Sequence, residues 1–213
     1  IHLYQVRKMK DIEFKILDIL SREIGNPISI RQLNENINDI YGHAHYPMIY
    51  NTIQKMAESK LVHIDKYGKS SVASLKFANP LLIDNLAQVE IINKIRFLEE
   101  RKDWQILVLQ INGYLRDFNM IKSILMIKPE TNAKLNRIEL LILLRNKDDS
   151  INKELDDISD IVELLQRVHN IRIDHLTLDE SSFKSLLRSD DANQIKEMLF
   201  DKIVIFYPQS FWF

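Results

Sequence analysis

The stretch Tyr46-Pro47-Met48-Ile49-Tyr50-Asn51-Thr52-Ile53-Gln54-Lys55-Met56-Ala57-Glu58-Ser59-Lys60-Leu61-Val62 decides how the first third of this chain is read. Ile49, Ile53 and Met56 recur at four- and three-residue spacing, so they line one side of a helix. Pro47 fits the first turn, where a missing N–H costs nothing. The other side carries Tyr50, Asn51, Gln54, Lys55 and Glu58, all able to hydrogen-bond to something outside the chain. Beyond the helix, Leu61-Val62-His63-Ile64-Asp65 is β-prone, Lys66-Tyr67-Gly68-Lys69-Ser70 reads as a turn, and Val72 to Phe77 alternates in polarity; together they predict a hairpin. Upstream, Asp11 to Ile24 has helical spacing and stops at Gly25-Asn26-Pro27. Ser29 can cap a second short helix bearing Leu33, Ile37 and Ile40, which Tyr41-Gly42-His43 breaks.

Three helices followed by a hairpin, with a short turn between the second and third helices, is the winged variant of the helix-turn-helix. In that setting Tyr46 to Val62 resembles the recognition helix and following strand of prokaryotic winged-helix transcription regulators. The resemblance implies double-stranded DNA as partner, with the third helix in the major groove and the wing against phosphates. His45, Tyr46, Tyr50, Asn51 and Lys55 are then the candidate readers and clamps, and Lys66, Lys69 and Ser70 the wing contacts. Asn51 suits bidentate contact with adenine, and lysines neutralise phosphates. The plainer alternatives are a solvated helix face or a protein-binding winged helix.

From Asn79-Pro80 onward the pattern changes. Helical stretches near 81–99 and 103–117 flank the charged Glu99-Glu100-Arg101-Lys102, and β-like and helical runs then alternate to the end, indicating a helix-packed α/β region. The expected fold class is α+β: a winged helix-turn-helix over 1–79, helical linker and packing helices over 80–118, and a small α/β domain over 119–213. The last resembles a nucleotidyltransferase domain of the archaeal and bacterial type. Ile124-Leu125-Met126 lies where that family has the strand before its Gly-Ser turn, Arg137 to Leu143 where it has Asp-x-Asp and a strand, and Ile171 to Asp174 where it has its third carboxylate. The resemblance also marks the departures: Ile127-Lys128 replaces Gly-Ser, and Arg137 puts a fixed cation where Mg²⁺ would bind. Glu139 and Asp174 remain as carboxylates beside an arginine. The expectation is a degenerate domain kept for dimerisation or ligand sensing, with no cofactor; active nucleotidyl transfer and a DNA-free protein-interaction adaptor are the alternatives.

Composition sets outer bounds. With 46% hydrophobic and 28% charged residues the chain can bury a core. Its 4 Gly disfavour glycine-rich phosphate loops. The absence of Cys excludes disulfides, thiol catalysis and thiolate metal sites, and suggests a reducing compartment. The longest apolar runs fall far short of the ~20 residues that cross a bilayer, and no signal-like segment opens the sequence, so a cytoplasmic protein without membrane contact is expected. The net charge of -1 conceals an asymmetry: residues 1–79 carry 11 Lys and Arg against 8 Asp and Glu, while 80–213 carry 18 against 22. His43, His45 and His63 lack the spacing of a metal set. Ser70-Ser71 is better explained as part of the turn than as nucleophiles, and the acids around Asp148, Asp149, Glu154, Asp156, Asp157 and Asp160 as a solvated helix start. Trp104 and Phe211-Trp212-Phe213 should be buried. Apolar residues of 81–117 exceed one helix face, which suggests a homodimer presenting two winged helices to a two-fold DNA site.

Overall fold

The computed structural model describes residues 9–24, 26–128, 137–145, 151–189, 191 and 193–212. Gly25, the Asp148-Asp149-Ser150 run and Phe213 lie outside them. The chain is α+β and divides into two compact units, Ile1–Val89 and Glu90–Phe213.

In the first unit, α1 (Asp11–Arg22), β1 (Ile28–Ser29), α2 (Ile30–Tyr41), α3 (Tyr46–Glu58), β2 (Val62–Tyr67) and β3 (Ser70–Leu75) follow in that order. The strands form an antiparallel sheet in the order β1-β3-β2. Ile16, Leu17, Leu33, Ile37, Ile49, Ile53 and Ala73 are wholly buried, so each helix contributes its apolar stripe to one core. Ser29 caps α2 as its residue type suggests, its hydroxyl accepting from the Gln32 amide at 3.1 Å. That residue also belongs to β1, which escapes sequence reading because two residues show no periodicity; Ile28 and Ser29 pair with Ala73 and Val72. Helix α1 ends at Arg22, two residues earlier than the apolar spacing suggests. Asp18, buried on α1, accepts from Arg22 Nε at 3.0 Å and from the Tyr41 hydroxyl, tying α1 to α2.

Helix α4 (Pro80–Glu100) begins in this unit and ends in the next. Asn79 opens it by accepting from the Leu81 amide at 3.0 Å, while its side-chain amide donates to the carbonyls of Ser59 and Lys60, each at 3.1 Å. One side chain thus starts α4 and satisfies carbonyls at the end of α3. The division between units falls inside α4, after the buried Leu82, Leu86 and Val89, where the sequence pattern suggests residue 79.

The second unit contains a 3₁₀ turn (Lys102–Trp104), α5 (Gln105–Leu115), β4 (Ile121–Ile127), β5 (Arg137–Leu144), α6 (Ile151–His169), β6 (Arg172–Asp179), α7 (Glu180–Arg188), α8 (Gln194–Phe200), β7 (Lys202–Phe206) and α9 (Pro208–Trp212). Its sheet has the order β6-β5-β4-β7; β4 is antiparallel to β5 and β7, whereas β5 and β6 are parallel and joined through α6. Leu140 to Leu144 are all buried, so both faces of β5 are covered. On one face Ile138, Leu140, Ile142 and Leu144 pack with Leu107, Val108 and Ile111 of α5 and with Ile158, Val162 and Leu165 of α6. Region 103–117, which the sequence suggests as linker and packing helices, contributes Trp104, Leu107, Val108, Ile111 and Leu115 to this core. Trp104 is buried edge-on to Phe97, and Phe211 and Trp212 are buried on α9, a helix too short to announce itself in the sequence. Among the described residues no helix is long and apolar enough to cross a membrane.

Candidate nucleic-acid interface

Helix α3 is placed by its buried side. Ile49, Ile53 and Met56 anchor it in the first unit's core, so the residues between them must face outward. His45 precedes it in extended backbone (φ -80, ψ 129), and Pro47 occupies the first turn. His45, Tyr46, Met48, Tyr50, Asn51 and Lys55 are exposed. The rings of Tyr46 and Tyr50, one helical turn apart, stack with centroids 6.2 Å apart and planes at 27°. This pair makes a flat aromatic surface at the start of the helix.

The hairpin supplies the second part. Tyr67 pairs with Ser70 across a two-residue loop in which Gly68 takes φ 60, a conformation glycine adopts without strain and one suited to the first position of such loops. Lys66, Lys69 and Ser70 cluster at this tip and are exposed. Toward the base, His63 Nε2 lies 2.9 Å from Asp65 Oδ1, so one acid of this hairpin is engaged within its own strand.

The eight residues named from the sequence share one property. Among the described residues, none of their side chains makes a hydrogen bond or ion pair within the chain; the Tyr46–Tyr50 stack is the contact among them. Elsewhere some exposed charges are matched locally, as Arg31 is with Glu35 at 3.1 Å, and others, such as Asp39 and Lys60, are not. Sequence reasoning missed two exposed side chains here, Met48 and Tyr67. The signal for Tyr67 was present: it shares strand parity with His63 and Asp65, the polar side of β2.

The nucleotidyltransferase-like positions form a different kind of group. Register aligns Arg137 with Arg172 and Glu139 with Asp174 at the starts of β5 and β6. Arg137 Nε donates to Asp174 Oδ2 at 2.7 Å, its Nη2 lies 3.0 Å from Glu139 Oε1, and Arg172 Nε donates to Asp174 Oδ1 at 2.8 Å. Hydrogen bonds from Arg172 and then Arg137 hold the Asp174 carboxyl below the ordinary aspartate range. Both carboxylates are thus occupied by guanidinium groups, and among the described residues no cluster of His, Asp or Glu could hold a metal ion. Ile127 and Lys128 take no part in these ion pairs, although the pairing of Met126 with Leu140 brings their end of β4 to the start of β5: Ile127 pairs with Lys202, and the Lys128 amide donates to the Asp201 carbonyl at 2.6 Å.

The chain matches no protein family, no curated protein and no solved structure.

Proposed function

We infer that the first unit is a winged-helix module that binds duplex DNA, and that the protein acts as a transcriptional regulator. The observation that carries this reading is the outward face of α3: exposed, hydrogen-bonding, and engaged by no partner within the described chain. The element order and the β1-β3-β2 sheet support it, since the β2–β3 hairpin follows α3 directly, the order that a wing would have. At about 1.5 Å per residue a helix of this length spans roughly 20 Å, and a major groove about 12 Å wide admits it. Between Tyr46 and Leu75 the sequence holds four Lys against two acids, Glu58 and Asp65, a local excess of the sign that phosphates require.

Asn51 takes the base-reading role, with Tyr46 and Tyr50 packing on sugar or base edges and Lys55, Lys66 and Lys69 on phosphates. The second unit has a non-catalytic role, because the ion pairs of Arg137 satisfy the carboxylates that metal-dependent transfer would need. Exposed Met48 beside the tyrosines favours a second reading, a protein partner docked on α3, and the same experiment separates the two. Selection of bound sequences from a randomised duplex pool should yield a defined site. Asn51→Ala should then bind that site weaker by about 1–3 kcal/mol while changing little on unrelated duplex. Equal loss on every sequence, or no enrichment at all, would overturn base reading by α3.

A further inference from the structure

Helix α5 is apolar on two opposite sides. Leu107, Val108, Ile111 and Leu115 face the core of the second unit. On the far side Ile106 is 63% and Leu109 71% exposed, more than any other aliphatic residue described, and Gly113 follows them at helical spacing. A Cβ added to Gly113 would meet nothing within 4 Å, so packing inside the chain does not require glycine there. Glycine is nonetheless the worst helix former apart from proline, and α5 carries it in its last turn. Such a residue on an exposed apolar stripe is what close approach by another helix requires.

We propose that this face of α5 is the contact between two copies of the chain, crossing antiparallel about a two-fold axis between Leu109 and Gln110. Charge decides both partner and direction. That axis sets Ile106 against Gly113 of the partner subunit, and Leu109 against Gln110 of the partner subunit. At the ends it sets Lys102 against Asp117 of the partner subunit and Asp103 against Arg116 of the partner subunit, so four opposite-charge pairs bracket the apolar centre. A parallel pairing would instead oppose lysine to lysine and arginine to arginine, which disfavours it. The existing pairs of these residues are local and loose, with exposed Arg116 Nε 3.5 Å from Asp117 Oδ1 and the largely buried Arg101 Nε 3.7 Å from Asp103 Oδ1. They yield readily to a partner. The arrangement is isologous, each surface meeting itself, as a two-fold dimer demands. It stands on α5 and the residues flanking it, and does not depend on DNA binding.

Sedimentation equilibrium of the full chain without DNA tests it. The wild type should be a dimer at micromolar concentration, and Ile106→Glu a folded monomer with an unaltered circular dichroism spectrum. Asp117→Lys should weaken association about tenfold or more, and adding Lys102→Asp should restore most of it. A monomeric wild type, a dimeric Ile106→Glu protein, or failure of the second change to rescue the first would each overturn the proposal.

Discussion

Salt dependence gives the sharpest test of the interface, because it counts phosphate contacts. Lys55 near the end of α3 and Lys66 and Lys69 at the hairpin tip are exposed and carry no ion pair with a described residue. Each lysine that neutralises one phosphate adds about 0.9 to the slope of log affinity against log salt, so three predict a slope of about -2.7 per subunit. A fourfold rise in salt then weakens binding about fortyfold, and in Lys69→Ala, with a slope near -1.8, only about twelvefold. The wild type and the variant should therefore converge as salt rises. Fluorescence anisotropy of a labelled duplex over a potassium chloride series reads both slopes. Lys69 lies in the hairpin loop and supports no internal contact, so its loss should leave the fold intact. A variant that binds more weakly but keeps the wild-type slope would show that Lys69 meets no phosphate. A wild-type slope near zero would remove the whole electrostatic argument.

Two further outcomes concern the second unit's charged pairs. Lys202 Nζ lies 3.1 Å from Glu90 Oε1 with both side chains buried, and over the ring of Trp212 at 5.3 Å; Lys202→Met should cost about 3–5 kcal/mol in urea unfolding, and Glu90→Leu added to it should recover most of that loss. Hydrogen bonds from Lys122, at 2.8 Å, and then Lys184 hold the Glu180 carboxyl below its ordinary value of 4.5. A depressed folded pKa stabilises above the unfolded value and is lost as pH falls through the folded one, so Glu180→Gln should be less stable by about 1 kcal/mol at neutral pH. The gap should close as pH drops below 4.5, and a gap constant with pH would assign the effect to packing instead.

What could be read from the sequence was whatever repeats over short range. The Ile49, Ile53, Met56 spacing exposes α3 directly, since a helix with one apolar stripe must turn the rest outward, and the Gly68 turn locates the hairpin. Pairings between distant segments left no such trace. Arg172 joins the Arg137 and Asp174 ion pairs only through the parallel register of β5 and β6, which no local pattern encodes. The Glu90–Lys202 pair is equally invisible, because a buried lysine in an apolar strand is indistinguishable in sequence from one at an edge. Strand β1 and helix α9 are simply shorter than any period that could betray them.

Helix α5 shows where the periodicity argument fails and why the failure carries information. An amphipathic helix of a monomer has one apolar face, and the residues opposite are free to be polar. Ile106 and Leu109 lie opposite the core-facing Leu107, Val108, Ile111 and Leu115, so no single rotation of the helix buries both sets against one sheet. Had the outer side been covered within the described chain, Gly113 would have had neighbours, and it has none. Two exposed aliphatic residues alone would be ordinary surface. Their alignment with an unneeded glycine, and with flanking charges that complement when the helix is reversed upon itself, is what sets this face apart from ordinary surface.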